Sequence, residues 1–204
     1  MLHPDTVEPG TLDILNQIMV IAELRDFVLV GGTSLALQIG HRKSVDLDFF
    51  GNHAIDKDEI LELLSPLGEC RPIHLTKNIL VLDLNGLKID FANYSYPLLK
   101  PFIVEDGLRL ISKEDIGAMK LSAITGRGTR RDFIDLFFLL KEFSLKQLLS
   151  FYLNKFDDGA EFLVARSLVY FDDAENDSGP ILITPCDWSE VKSTILKEVS
   201  SLYS

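Results

Sequence analysis

The chain has 204 residues, 47% of them hydrophobic, and 31 acidic against 20 basic residues give it a net charge of −11. This length suits one well-packed domain, with or without a helical extension. The negative net charge argues against nucleic-acid binding through a broad basic surface but permits a local basic patch. Two cysteines without CxxC or Cys/His metal spacing, and no apolar stretch near the roughly 18 residues of a membrane span, predict a reduced, cytoplasmic protein without a zinc site.

The N-terminal segment predicts a helix and then a strand. Apolar residues recur at helical spacing over residues 11–25, with Thr11 as the expected N-cap. The segment FVLV at residues 27–30 has the length and composition of a short buried strand. We expect the helix to pack one face against the core that this strand enters.

Two adjacent glycines follow this strand. Gly31 and Gly32 predict a turn, after which Thr33 or Ser34 can cap a short helix with the sequence LALQI. Backbone N–H groups at a helix N-terminus can hold a triphosphate, and a glycine lets a ligand approach the chain closely. A glycine pair alone is more often only a turn.

The segment SVDLDFF predicts a strand with two carboxylates on one face, because successive strand side chains point to opposite faces. Asp46 and Asp48 then repel each other unless a cation lies between them. Hard divalent ions such as Mg²⁺ prefer carboxylate oxygens, so a DxD strand beside a glycine turn indicates nucleotide and metal binding. A solvated strand face is the plainer interpretation of DxD taken alone.

Residues 79–94 predict a β-hairpin. Asn85-Gly86 supplies the positive φ values of a two-residue type I′ turn. In that register Asp83 lies opposite Lys88, and Asp90 stands on the more polar face of its strand. Asp90 is therefore a third candidate carboxylate.

The spacing becomes helical from Ser112 onward. Ser112 and Thr129 each have an acidic residue three positions later, which predicts a helix start at both, and the GRG at residues 126–128 separates the two helices. Further helices are expected to start at Ser144 and Asp187.

This change of pattern predicts an α/β core over residues 1–110 and a helical portion over residues 111–204. We expect the helical portion to complete the active site and to form one continuous structural unit with the core. The acidic segment at residues 171–180 is expected to be a solvated loop.

Two motifs resemble a known family. The stretch GGTSLALQIGHRKSVDLDFF closely resembles the signature of the AbiEii/AbiGii toxin family of the nucleotidyltransferase superfamily, in which a glycine-rich turn and helix precede a DxD strand. The stretch AMKLSAITGRGTRRDFIDLFFLL resembles the second family motif, with Lys120, Arg127, Asp132 and Asp135 at the matching positions. The resemblance covers roughly residues 27–141.

The resemblance implies a polymerase-β-like fold, α/β or α+β, with a small mixed sheet backed by helices and followed by a helical C-terminal portion. It also implies two Mg²⁺ or Mn²⁺ ions and transfer of a nucleoside monophosphate from an NTP with release of pyrophosphate. Asp46 and Asp48 would bridge the metals, and Asp90 would hold the catalytic metal near the attacking hydroxyl. Asp90 matches through its strand context and order alone.

The remaining site residues come from the second motif or, for Arg42, Arg130 and Arg131, from their charge and their position in the two stretches. Lys120 and Arg127 are expected to bind the triphosphate, although exposed surface is the plainer interpretation of each. Asp132 has good capping geometry, and Asp135 can pair with Arg131, orient Lys120 or orient the acceptor hydroxyl. The full nucleotide-binding set is Gly31, Gly32, Thr33, Ser34, Arg42, Lys120 and Arg127. The expected acceptor contacts are Arg130, Arg131 and Asp132. The expected catalytic residues are Asp46, Asp48, Asp90, Lys120 and Asp135. The expected metal ligands are Asp46, Asp48 and Asp90.

The leading functional hypothesis is a toxin of toxin–antitoxin or phage-defence (abortive infection) type that adds nucleotides to an RNA such as tRNA. A cognate antitoxin protein is the expected partner, and association with a membrane is not expected. The alternatives are nucleotidylation of a small molecule or of a partner protein, and a binding protein that keeps the nucleotide pocket without transfer.

Overall fold

The computed structural model describes residues 1–203, which divide into two compact units. The first comprises Met1–Ser95 and Phe102–Ile111. The second comprises Tyr96–Pro101 and the described chain from Ser112 onward. The first unit contains the sheet and the second is helical, so the predicted α/β fold with a helical C-terminal portion is confirmed.

Within residues 1–203 the strands form one mixed sheet of seven strands in the order β3-β4-β5-β2-β1-β7-β6. The strands are β1 (Val28–Leu29), β2 (Leu47–Gly51), β3 (Cys70–Leu75), β4 (Ile79–Leu84), β5 (Leu87–Asn93), β6 (Ile103–Glu105) and β7 (Leu108–Leu110). Strand β2 runs parallel to β5, and β1 runs parallel to β7, whereas the other neighbours are antiparallel. The DxD strand therefore lies in the middle of the sheet.

The central strands alternate between a buried and a more open face. In β2, Leu47 and Phe49 are fully buried while Asp48 is only partly buried. Strand β5 repeats the pattern, with Ile89 and Phe91 in the core. Each of these apolar side chains contributes about 1.5–3 kcal/mol through burial, so the core fixes which face carries the aspartates.

The hairpin prediction is confirmed in its turn and its register. Asn85 and Gly86 both have positive φ values, 54° and 87°. Asp83 lies opposite Lys88 in the β4–β5 pairing, and its carboxylate accepts a hydrogen bond from the Gly86 N–H at 3.1 Å. The turn therefore sets which residues of β4 lie opposite those of β5, with Val81 opposite Asp90.

The helices of the first unit are α1 (Pro9–Met19), α2 (Gly31–Ile39) and α3 (Lys57–Leu64). The Thr11 N-cap is wrong, because α1 begins at Pro9 with Glu8 at the cap position, and proline suits the first helical turn. Caps at Thr33 or Ser34 are also wrong, since α2 begins at Gly31. The glycine pair thus forms the first turn of α2 rather than a loop before it.

The second unit contains α4 (Lys113–Arg127), α5 (Arg130–Leu139), α6 (Leu145–Lys155), α7 (Glu161–Leu168), α8 (Asp172–Glu175) and α9 (Trp188–Ser201). The predicted starts at Ser112, Thr129 and Ser144 are confirmed by side-chain caps, and α9 starts directly after Asp187. The expected solvated loop at residues 171–180 is wrong in part, because it contains α8 with a buried alanine. No helix within residues 1–203 is long and apolar enough to cross a membrane.

A fully buried ion pair holds the segment Tyr96–Pro101 within the second unit. Lys155 Nζ lies 2.7 Å from Asp115 Oδ1 and donates to the Pro97 carbonyl at 2.8 Å. The Asp115 carboxylate also accepts the Leu99 N–H at 3.0 Å. Because both charged side chains are completely buried, their pairing and hydrogen bonds are needed to offset desolvation.

Candidate active site

The two glycines of α2 allow charged side chains to lie against the backbone. Gly31 has a φ of +67°, and a Cβ atom there would lie 2.6 Å from Asp48 Oδ2. A Cβ atom on Gly32 would collide with the Arg42 guanidinium. The positive φ at Gly31 favours glycine there, whereas beside Gly32 the Arg42 guanidinium occupies the space that a side chain would take.

The residues after the glycine pair shape the loop that leads into β2. The buried Thr33 hydroxyl lies 2.8 Å from Ser44 Oγ and donates to the main-chain carbonyl of Asp46. Arg42 is 3% exposed and donates to the Lys43 carbonyl at 2.9 Å. Ser34 is also buried. These side chains hold the chain where it enters β2, and their contact with a nucleotide stays a prediction.

Asp48 and Asp90 are side by side on the open face of the sheet. They are direct register partners on the parallel strands β2 and β5, and Asp46 comes just before β2. Lys88 lies on the same face as Asp90, and its Nζ is 2.8 Å from Asp90 Oδ2. Burial lowers the pKa of Lys88, but the hydrogen bond to Asp90 and the charges of all three aspartates outweigh it and raise the pKa. This group of three aspartates and Lys88 is called the sheet cluster below.

Lys88 was missed as a site residue by the sequence analysis. The signal was its spacing: in a strand, residues i and i+2 share a face, so Lys88 lies beside Asp90 in the predicted hairpin. Asp83, which lies opposite Lys88 across the hairpin, was the partner that the register suggested. The structure shows that Lys88 pairs along its own strand instead.

The donor chemistry of the sheet cluster fits a divalent cation. Asp90 Oδ1 is buried and has no hydrogen-bond partner, a state that is costly for a carboxylate oxygen. Hard cations such as Mg²⁺ bind such oxygens. Within residues 1–203, no group of three or more His, Cys, Asp or Glu side chains is arranged to hold a metal by itself. The protein thus offers a partial ligand set that other oxygens would complete.

A second charged group, called the helix cluster below, lies inside the helical unit. Lys120 Nζ is 2.9 Å from Asp132 Oδ1 and 2.6 Å from Asp135 Oδ2. Asp135 is completely buried and Lys120 is 8% exposed. Of the alternatives for Asp135, pairing with Lys120 is the one that the structure shows.

Asp132 has two roles in the helix cluster. It closes the predicted capping box, since its Oδ2 accepts from the Thr129 N–H at 3.2 Å and from the Thr129 hydroxyl at 2.6 Å. Burial raises the pKa of Asp132, but the Lys120 charge and the hydrogen bonds outweigh burial, so the pKa lies below its usual range. Asp132 is therefore ionised at neutral pH, and its capping role accounts for its placement.

The three arginines of the second motif differ in their surroundings. Arg130 donates to the Ala174 carbonyl at 3.1 Å and to the Glu175 carbonyl at 2.7 Å, and its guanidinium lies 5.0 Å from the ring centre of Trp188. Arg127 and Arg131 are exposed. Arg130 thus binds α8 and α9 within its unit, and acceptor contact by any of the arginines stays a prediction.

Comparison with known proteins places these residues in a family. The sequence profile described as "Nucleotidyl transferase AbiEii toxin, Type IV TA system" matches residues 13–78, which include the glycine pair and both aspartates of the DxD segment. The chain belongs to this nucleotidyltransferase toxin family. The uncharacterized protein aq_aa25 of Aquifex aeolicus is 34% identical to this toxin-family chain over 171 residues, 81% of this chain and 83% of that protein.

Solved structures share the fold of this AbiEii-family protein. JHP933 from Helicobacter pylori is 22% identical with a TM-score of 0.60, and the match covers 97% of this chain and 93% of that one. MenT4, a nucleotidyltransferase toxin from Mycobacterium tuberculosis, is 19% identical with a TM-score of 0.62 and coverage of 97% and 86%. The predicted nucleotidyltransferase fold is confirmed.

Proposed function

We propose that the protein is a divalent-metal-dependent toxin that transfers a nucleoside monophosphate from an NTP to an RNA such as tRNA and releases pyrophosphate. The observation that carries this proposal is the pairing of Asp48 with Asp90 on adjacent parallel strands, where Asp90 Oδ1 is buried without a partner. Such an oxygen beside a second carboxylate suits a cation that also binds phosphate.

We assign Mg²⁺ or Mn²⁺ to Asp46, Asp48 and Asp90. A divalent ion held by these residues would neutralise charge on the phosphates and on the attacking and leaving oxygens. The protein's own ligand set is partial, so triphosphate oxygens are expected to complete it. This is consistent with residues 1–203, among which no group of three or more His, Cys, Asp or Glu side chains is arranged to hold a metal without further ligands.

We assign the triphosphate to the first turn of α2. The first N–H groups of a helix lack intrahelical partners and carry the positive end of the helix dipole, which favours anions. Gly31 and Gly32 add no side chains of their own to this turn, and Arg42 brings a guanidinium to it. Thr33 and Ser34 complete the proposed set from the same turn.

The chemical step is an in-line displacement. The acceptor hydroxyl loses its proton to water as its oxygen attacks the α-phosphorus, the bond from that phosphorus to the bridging oxygen breaks, and pyrophosphate leaves with the electron pair. We assign Lys120 and Arg127 to the charge of the triphosphate and Asp135 to the orientation of Lys120, which it contacts at 2.6 Å. Positioning and charge neutralisation then supply the rate enhancement.

The acceptor assignment rests on local charge. A net charge of −11 repels RNA on average, so its phosphates must meet a local basic surface, for which we propose the exposed Arg127 and Arg131. Arg130 and Asp132 support that surface through their internal contacts. The type IV toxin–antitoxin family further implies an antitoxin as the partner of this chain.

The proposal is tested with NTPs labelled at the α- or γ-phosphate, total tRNA and Mg²⁺. RNA should acquire label from the α-phosphate and not from the γ-phosphate, with release of pyrophosphate, and a chelator or Asp46→Asn should abolish labelling. Labelling of a protein or small molecule instead of RNA would replace the acceptor. Absence of all transfer with each NTP would contradict the activity.

A further inference from the structure

The sheet cluster already contains a cation of its own. Lys88 Nζ lies 2.8 Å from Asp90 Oδ2, with the charges of Asp46 and Asp48 acting on it. The other oxygen of the same carboxylate, Asp90 Oδ1, is buried and unpaired. One carboxylate therefore has one oxygen bound to an ammonium and one buried oxygen without a hydrogen-bond partner.

We propose that Lys88 is a positioning residue that competes with the divalent cation for Asp90 and so keeps the metal affinity of the nucleotide-free protein low. This inference rests on the proposed metal site at Asp48 and Asp90. It goes beyond that site by assigning a role to Lys88, which lies outside the two family motifs.

Competition follows from charge rather than from shape. A cation on Asp90 Oδ1 would stand close to the ammonium on Oδ2 of the same carboxylate, and the two positive charges repel. At a separation of about 5 Å, even in a water-like medium, the repulsion between a divalent and a monovalent cation corresponds to roughly a tenfold loss of affinity. Lys88 also neutralises part of the negative charge that would otherwise attract the metal.

The consequence is a coupling between metal and nucleotide. A triphosphate brings its own negative charge and oxygen ligands, which offset the repulsion from Lys88 and complete the partial ligand set. The protein should therefore bind the cation weakly alone and more tightly with the nucleotide. Metal binding without substrate would be discouraged by a residue of the sheet itself.

The test measures Mn²⁺ binding by calorimetry in the absence of nucleotide. Lys88→Met and Lys88→Gln remove the charge and should bind Mn²⁺ about tenfold more tightly than wild type. Lys88→Arg keeps the charge and should stay within about twofold of wild type. Lys77→Met is the matched control, because Lys77 is an exposed lysine of the same unit, in the turn between β3 and β4.

A damaged fold would weaken Mn²⁺ binding, whereas the proposal requires tighter binding. Unchanged or weaker affinity in both uncharged variants, or no measurable binding by either, overturns it. Thermal unfolding gives a second readout: Mn²⁺ should raise the melting temperature of Lys88→Gln more than that of wild type, and an equal rise counts against competition.

The outcome is separable from that of the proposed function. If wild type binds Mn²⁺ through Asp48, as loss of binding in Asp48→Asn would show, but Lys88→Met is no tighter, only the role of Lys88 fails. If Lys88→Met binds tightly and no acceptor is ever nucleotidylated, the inference stands and the proposed activity fails.

Discussion

The sheet cluster and the helix cluster both combine carboxylates with one lysine, but they satisfy their charges differently. In the helix cluster, Lys120 lies within 2.9 Å of two carboxylates, and Asp135 is completely buried. In the sheet cluster, Lys88 is hydrogen-bonded to Asp90 and leaves the buried Oδ1 of that residue without a partner. The helix cluster is internally paired, and the sheet cluster still has bonding capacity.

This difference predicts which substitutions should lower the stability of the fold and which should affect ligand binding. Removing one member of a buried ion pair is costly because the partner's charge stays buried. Asp46, Asp48 and Asp90 are like charges close together near one partly exposed face, so removing one of them also relieves repulsion among the others. Substitutions in the helix cluster should therefore destabilise the fold, and substitutions in the sheet cluster should mainly affect ligand binding and transfer.

The largest expected effect is on transfer, in Asp48→Asn. We expect the rate to fall by about 10³-fold, because a charge that stabilises the transition state is lost, while the free energy of unfolding stays within about 1 kcal/mol of wild type. The measurements are nucleotide incorporation and denaturant unfolding. Asp13→Asn, an exposed aspartate of α1, is the control and should change neither. A stability loss above roughly 2 kcal/mol would make Asp48 a structural residue.

The substitution Lys120→Met tests the helix cluster, where both stability and transfer should change. It leaves Asp132 and Asp135 buried without their lysine, so we expect a loss of about 3 kcal/mol in the free energy of unfolding together with loss of transfer. Lys155→Met is the matched control, because it breaks the fully buried pair with Asp115. Its stability loss should be similar, while transfer per folded molecule is retained. Equal loss of transfer in both variants would remove the special role of Lys120.

The pH dependence of stability tests Asp132. A carboxyl group whose pKa is lowered by folding stabilises the protein above its unfolded pKa, near 4, and this contribution is lost as pH falls through the lower folded value. Asp132→Asn should therefore be less stable than wild type by about 1–2 kcal/mol at neutral pH, as for a lost helix cap. The gap should shrink below about pH 4. Urea unfolding at a series of pH values measures it, and a gap independent of pH would show that ionisation is irrelevant.

The smallest effects should separate the two neighbouring arginines. Arg130→Ala removes contacts with Ala174, Glu175 and Trp188, so we expect a stability loss of about 1 kcal/mol. Arg131→Ala should leave stability unchanged but weaken RNA labelling a few-fold. The slope of log labelling against log salt concentration should become less steep by about 1, the value for one lost phosphate contact. Labelling across a salt series and thermal unfolding are the measurements. An unchanged salt slope in Arg131→Ala would exclude this arginine from the acceptor surface.

Patterns of neighbouring residues were sufficient to predict the hairpin and several helix starts. The hairpin register followed from Asn85-Gly86 because a two-residue turn leaves only one alignment of the strands. The capping boxes at Thr129 and Ser144 were equally accessible, since each depends on residues three positions apart. The helix start at Gly31 was missed, because a glycine pair usually ends an element and the close approach of Asp48 and Arg42 is not a local property.

The sequence by itself determined which residue types stand on the polar face of the central strands, because strand alternation and apolar burial leave Asp48 and Asp90 no other side. Only the tertiary structure decided what each charge contacts. The pairing of Lys88 with Asp90 rather than Asp83, and of Lys120 with Asp135, depends on distances set by strand order and helix packing. Side-chain charges interact through space, and many pairings are compatible with one chain pattern until packing fixes the positions of the backbone.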